Sequence, residues 1–218
     1  THESFDADLD DVISKAQESG VKRFSITGSS LNESISAIEI AKKFPNSCIS
    51  TAGIHPHNAK EYSHSSFSEI RDLLEEDVVK SIGETGLDFY RNFSAAKQQE
   101  LSFEAHLELA IETRYPLFLH ERDAHKRFIE IISPYKEDLP KSVVHCFTGN
   151  KEALEKYIEM GFYIGITGWL CDERRGKHLI DLIPIIPLDK LMIETDCPYL
   201  LPRDCLLYTS DAADEIAS

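Results

Sequence analysis

Ser81-Ile82-Gly83-Glu84 is the stretch from which the fold can be read, because a short apolar run stops there on a potential metal ligand. Three further runs share the design: Leu117-Phe118-Leu119-His120, Val143-Val144-His145 and Met192-Ile193-Glu194-Thr195-Asp196. Short apolar runs bounded by Gly, Pro and polar residues read as buried parallel strands. Strand ends are where α/β folds collect their chemistry. Carboxylate, imidazole, imidazole and carboxylate are therefore expected to converge on one face, as the ligands of a hydrolytic metal site.

Working outward, helical patterns alternate with strand-like ones. Leu9, Val12, Ile13 and Ala16 recur at helical spacing within residues 8–19, and Gly20 is placed to stop that helix. A strand over 23–28 follows, then a helix over 31–44 before Pro45, a strand over 47–57, a helix over 66–77 and a strand over 78–84. Residues 98–113 carry the clearest helical pattern, with Leu101, Ala105 and Leu109 expected to face inward and Phe103 a further candidate. Pro116 opens the strand to His120, and helices over 123–132, 151–160 and 177–183 alternate with strands over 143–146, 162–167 and 191–196. Each strand is preceded by a helix, which implies βα units, a parallel sheet and right-handed crossovers. Closure into a (β/α)8 TIM barrel is the natural expectation, and a typical one needs about 250 residues. With 218 residues and a helix at its start, this α/β barrel is expected to lack strand one and the C-terminal helices.

At 42% hydrophobic residues the chain can bury one sizeable core, and nothing in it resembles a linker. No apolar run approaches the roughly 20 residues of a membrane span, and the polar start THESFDADLDD is no signal peptide. A soluble, cytoplasmic protein without membrane contact is expected. The five cysteines (Cys48, Cys146, Cys171, Cys197, Cys205) are odd in number and widely spaced, and read as packing residues rather than disulfides or a CxxC zinc site. Lys plus Arg total 23 against 38 Asp plus Glu, a formal charge of −15, which argues against tight nonspecific binding to DNA. It does not argue against a nuclease, because divalent ions held by carboxylates can dominate the local potential of a phosphate site.

Each candidate ligand has a plainer reading. Glu84 lies in Gly-Glu-Thr-Gly-Leu-Asp, where the glycines let backbone approach a ligand, yet a carboxylate after a strand also serves as a cap or turn residue. A lone His120 or His145 would read as a core histidine satisfied by a carbonyl, and a lone Asp196 as a turn former. Together, at successive strand ends, they match the ligands of catalytic Mg, Mn or Zn sites. His55 and His57 in Gly53-Ile54-His55-Pro56-His57 resemble an HxH pair, with Pro56 holding both extended, and suit substrate phosphate or a ligand shell. Asp88, Arg91, Arg122 and the stretch from Asp172 to Arg175 add charges after strands. Arg grips phosphate through a bidentate fork, which makes Arg122 a substrate-binding candidate, while surface ion pairing accounts for any one of these residues taken alone. Trp169 suits stacking on a base or covering the barrel rim. His2, His64, His106 and His178 read as solvated or helix-surface residues.

Taken in order, STAGIHPH, SIGETGLDFYRNFS, FLHERDAHKRF, VVHCFTG, YIGITGWLCDERRG and IETDCPYLLPRD resemble the segments of the TatD family of metal-dependent deoxyribonucleases. The resemblance runs from about Phe5 to Asp204, and its specificity lies in the set. It implies a TIM-barrel metallohydrolase that cuts DNA phosphodiesters with divalent ions, Mg or Mn first and Zn second, as a 3′ to 5′ exonuclease on single strands or 3′ ends. The family's metal ligands fall on Glu84, His120, His145 and Asp196, and its HPH histidines on His55 and His57, with a substrate or phosphate role. Glu84 and Asp196 are then the catalytic carboxylates, Asp196 taking a proton from the attacking water. Many relatives carry an HxH pair on strand one, which would fall just before Thr1, so Glu84 is the ligand placed to bridge if two ions bind. DNA repair or degradation is the process the resemblance suggests.

After Asp204 the residues CLLYTSDAADEIAS carry no apolar period and resemble a translated sequencing adapter, so 1–204 is expected to form the barrel and 205–218 a non-native tail. Two rivals remain at this point. One is a metal-dependent amidohydrolase cutting C–N bonds, which a carboxylated lysine on a middle strand would favour, although Glu84 occupies the corresponding place. The other is an inactive truncated fragment.

Overall fold

In the computed structural model, which describes residues 1–203, seven parallel strands form one sheet in strict chain order. They are β1 (Phe24–Ile26), β2 (Cys48–Ala52), β3 (Val79–Asp88), β4 (Leu117–Arg122), β5 (Val143–Val144), β6 (Tyr163–Ile166) and β7 (Leu191–Ile193). Helices α1 (Leu9–Glu18), α2 (Leu31–Lys43), α3 (His64–Leu73), α4 (Ala96–Thr113), α5 (His125–Ile132), α6 (Lys151–Glu159) and α7 (Lys177–Leu182) each precede one strand. Sequential order with a helix at every crossover is the construction of a (β/α) barrel wall. Among the described residues β1 and β7 each pair on one side only, so the wall is curled and open between them.

Local sequence sets the helix limits. Ser30 Oγ accepts the Glu33 N–H at 3.2 Å to start α2, and Lys42 and Lys43 close it in the last turn, where cations suit the helix dipole. Ser63 and Ser66 cap α3 reciprocally, and Asn150 caps α6 through the Ala153 N–H at 2.9 Å. Gly20, expected to stop α1, follows its C-cap at φ +98°, where an L side chain is strained.

The main core lies between the sheet and its helices. Ile82, Leu117, Leu119, Val144 and Ile164 are buried from the strands, and Phe103 of α4 stacks on Phe128 of α5 with ring centroids 4.8 Å apart. Each such side chain contributes roughly 1.5–3 kcal/mol on burial. A smaller cluster of Ile13, Ala41 and Cys48 fixes α1 and α2 against the start of β2.

Three expectations change. Leu101 is 49% exposed, so it lies on the outer face of α4; the inner face is Gln99, Phe103, His106, Leu107 and Ala110. Polar residues complete that stripe because they are satisfied there. Gln99 accepts the Asp88 N–H at 2.8 Å, and His106, expected on the surface, is fully buried with Nε2 accepting the Ile54 N–H at 3.0 Å. The strand expected over 47–57 stops at Ala52, and Pro56 opens a 3-10 turn to Glu61, so His55 is extended and His57 is not. Proline's fixed φ is preorganised for a first helical position. The expected tail over 205–218 lies outside the described residues.

Candidate metal centre

The C-terminal ends of β2 to β5 bring four side chains together. β3 runs on past Glu84 to Asp88, and strand alternation puts Glu84, Gly86 and Asp88 on one face. On β4 the same alternation gives His120 and Arg122, in register with Gly86 and Asp88. Gly86 sits at φ +142°, and a Cβ there would lie 2.0 Å from the His120 carbonyl oxygen, so only glycine lets the two strands approach at this level.

Three imidazoles meet on one carboxylate oxygen. Glu84 Oε1 lies 2.8 Å from His120 Nδ1, 2.8 Å from His145 Nε2 and 3.3 Å from His55 Nε2. Burial alone would raise the Glu84 pKa, but the three histidines hold it well below the ordinary carboxylate range. Burial also works against charge on His120 and His145, yet their carboxylate neighbours win. His120 is raised to about 9 by Asp88 and Glu84, and His145 is raised well above its ordinary value by Glu84 and Glu194. His55 goes the other way, lowered to about 4 by burial despite Glu84.

Those protons test the fit of a cation. Two imidazoliums supply, beside Glu84 and Asp88, the positive charge that one divalent ion would bring, and ligand histidines release protons on metal binding. His120 Nε2 is buried, 3.4 Å from Asp88 Oδ2, and makes no hydrogen bond among the described residues. A buried imidazole nitrogen beside carboxylates, once its proton is released, belongs to a donor set suited to a divalent ion. The ligand atoms of His55, Glu84 and His120 lie within 4.8 Å of one another. His55 differs in one respect. Its Nδ1 accepts the His57 N–H at 3.0 Å, which leaves the ring proton on Nε2, facing Glu84 as a donor. In that tautomer His55 suits an anionic oxygen better than a metal.

Asp196 follows β7, and its pKa is raised by burial first and by Glu84 and Glu194 next, against His145. Its carboxylate makes no hydrogen bond or ion pair among the described residues, in contrast to that of Glu84. His57 Nε2 lies 2.8 Å from Asp88 Oδ2. Arg122 stacks over Tyr90 with its guanidinium carbon 4.0 Å from the ring centroid.

Asp172 makes the ion pairs expected of it, with Arg174 at 3.1 Å and Arg175 at 2.9 Å, but both it and Asp88 are buried, 3% and 1% exposed. Asp88 holds His57 and accepts the Tyr90 and Arg91 N–H groups at 2.9 and 2.8 Å. Sequence reasoning also passed over Glu194, whose Oε1 accepts the Cys146 N–H at 2.6 Å and lies 3.6 Å from His145 Nδ1. Carboxylates in that position fix the tautomer and orientation of a ligand histidine. Position offered a signal in both cases, because Asp88 is four residues from Glu84 and Glu194 two from Asp196, spacings that share a strand face.

A model of the family described as TatD related DNase matches residues 1–214. A "3'-5' ssDNA/RNA exonuclease TatD" of Salmonella typhimurium is 48% identical over 204 residues, covering 94% of this chain and 78% of that protein. Among solved structures, a hydrolase TatD family protein from Entamoeba histolytica superposes with a TM-score of 0.81 at 31% identity, covering 90% of this chain and 67% of that one. YJJV, a TatD homolog from Escherichia coli K12, gives a TM-score of 0.86 at 24% identity over 99% of this chain and 84% of its own, a likeness of fold alone. With a family model spanning nearly its whole length and a relative close to half identical, the chain belongs to the TatD related DNase family.

Proposed function

We propose that this chain hydrolyses nucleic-acid phosphodiesters with a divalent ion, Mg or Mn, removing nucleotides from the 3′ end of single strands. The observation that carries the reading is the convergence of three imidazole nitrogens on Glu84 Oε1 at the mouth of a parallel β/α wall. The Salmonella relative's name, an exonuclease on single-stranded DNA and RNA, supplies the substrate and polarity. Glu84, His120, His145 and Asp196 would hold the ion. When bound, such an ion acts as a Lewis acid that acidifies water and neutralises charge on phosphate oxygens.

The chain's own residues do the rest. Glu194, beside Nδ1, keeps the His145 ring turned so that Nε2 faces Glu84, and Asp88 holds His57 by its Nε2 at 2.8 Å. His55, with its proton on Nε2, donates to a nonbridging phosphate oxygen. Arg122, two residues beyond His120 on the same strand face, positions the phosphate. Asp196, with its raised pKa and a carboxylate that makes no hydrogen bond or ion pair among the described residues, takes the proton of the attacking water.

The amidohydrolase reading has less support, because Lys80, the lysine of β3, is exposed and Glu84 stands at the hub. No helix among the described residues is long and apolar enough to cross a membrane. Cytoplasmic action belongs to the same proposal, in keeping with Cys48, Cys146 and Cys197 lying outside any disulfide among the described residues. The test is degradation of 5′-labelled single-stranded DNA with Mg or Mn. Stepwise shortening from the 3′ end, abolished by chelator and by Glu84→Gln, is expected; cleavage that survives both would reject the site.

A further inference from the structure

Beside the centre, two large aromatic rings on the loop after β3 face solvent. Tyr90 is 58% exposed and Phe93 is 59% exposed, although rings of this size usually contribute most when buried. Both are fixed rather than loose. The Tyr90 N–H donates to buried Asp88, and the Phe93 ring meets His57 edge-on at 4.7 Å. The Arg122 guanidinium lies 4.0 Å from the Tyr90 ring centroid and 5.8 Å from that of Trp169, and Arg175 lies 4.4 Å from Trp169 on its other contact. Arg175 is aimed by buried Asp172, whose Oδ2 accepts from its Nε at 2.9 Å. Ring, guanidinium, ring and guanidinium thus form one row along the mouth, whose first guanidinium, Arg122, is two residues past His120.

The charge of the row matters because the molecule as a whole carries −15 and repels polyanions. Arg122 makes no ion pair with a carboxylate among the described residues, so its charge is not already neutralised there. A row of this kind fits one ligand chemistry, a nucleic-acid strand whose bases are unstacked: aromatic faces receive bases, and guanidinia between them meet the phosphates. A duplex cannot use it, because the faces of its bases are covered by their neighbours.

We infer that Tyr90, seated on Arg122, is the platform on which the base next to the scissile phosphate stacks, with Arg122 and Arg175 gripping the phosphates of that strand. The inference rests on the nuclease reading above and adds to it the residues that recognise an unpaired strand. It predicts that the enzyme distinguishes a strand with bases from one without them.

The experiment compares two substrates, a short oligothymidylate and the same strand with abasic sugars at its 3′-terminal positions, with Mn present. For the wild-type chain kcat/KM should favour the base-bearing strand by about 10-fold, the low end of what one stacked base contributes. Tyr90→Ala should bring that ratio close to one, and Tyr90→Phe, which keeps the ring, should preserve it. Equal wild-type rates on the two strands, or an equal loss on both in Tyr90→Ala, would overturn the stacking role while leaving the nuclease standing. Absence of metal-dependent cleavage of either strand would overturn the nuclease reading itself. Trp169→Ala gives an independent check in a second element, where a smaller fall in the same ratio is expected.

Discussion

Strands β3 and β7 deliver carboxylates to the same mouth by opposite means. β3 is ten residues long, paired on both sides, and holds Glu84 against three imidazoles. β7 is three residues long, paired among the described residues with β6 alone, and ends in Ile193, 89% exposed, before an Asp196 whose carboxylate makes no hydrogen bond among those residues. One carboxylate is stabilised in its charged form by its surroundings, and the other is disfavoured in that form. A ligand that must hold position benefits from the first environment, and a group that must accept a proton from the second.

The contrast is broken most directly at Glu84. Glu84→Gln keeps the shape but removes the charge on which His55, His120 and His145 converge. Phosphodiester cleavage should fall on the order of 1,000-fold, comparable to or beyond the loss of one preorganised electrostatic contact. The metal-free protein should also lose roughly 3 kcal/mol in a denaturant titration, because breaking a buried pair leaves its partners uncompensated. A stable, active Glu84→Gln protein would remove the hub from the account.

Asp196→Asn tests the other side and should differ in sign. Activity should drop by about 100-fold, the scale of a lost general base. Stability should stay the same or rise slightly, since the raised pKa marks a carboxylate that folding disfavours. Linkage gives the same direction: a carboxyl whose folded pKa is raised contributes stability at acidic pH and opposes folding above its folded pKa. Thermal melts of Asp196→Asn and wild type side by side at neutral pH decide it, and a large destabilisation would mean that Asp196 is held after all.

Glu194→Gln sharpens the comparison at the end of β7, because Glu194, unlike Asp196, has a carboxylate that accepts a hydrogen bond, from the Cys146 N–H at 2.6 Å, and lies 3.6 Å from His145 Nδ1. An outer partner of a ligand histidine should alter metal affinity by roughly 10-fold or somewhat more. Titration of the metal-free protein with Mn, read by calorimetry, measures that directly. An unchanged affinity would show that the His145 ring is oriented by its stacking on Phe118, 4.6 Å away, and not by Glu194.

The wall of alternating strands and helices was legible because each strand is a short apolar run between breakers, and the candidate ligands stood out because those runs stop on them. What was not legible is the burial of polar residues, since it depends on partners far along the chain. His106 is buried because the Ile54 N–H, 52 residues earlier, needs an acceptor. Glu194 is placed by the Cys146 N–H, 48 residues earlier. A helical stripe of Gln99, Phe103, His106 and Ala110 at spacings of four, three and four was present in the sequence. Reading only its apolar members moved the face toward Leu101.

That stripe supplies the mildest prediction for turnover and a distinct one for pH. His106 lies outside the centre but holds the backbone one residue before His55, with Nδ1 donating to the Ser102 carbonyl at 2.6 Å. His106→Leu leaves the Ile54 N–H buried without a partner, at a cost of roughly 2 kcal/mol near neutral pH and only a few-fold in turnover. Burial lowers the His106 pKa from 6.5 to about 4. Between those two values the unfolded chain takes up a proton that the folded one refuses, so the native contribution of His106 shrinks as pH falls. Leucine carries no such penalty. The stability gap between wild type and His106→Leu, measured by denaturant titration, should therefore be full near neutrality and narrow steadily as pH drops from 6.5 toward 4. A gap that stays constant across that window would mean that the buried ring is not neutral, and that the bond aligning His55 with the Glu84 hub is made in another way.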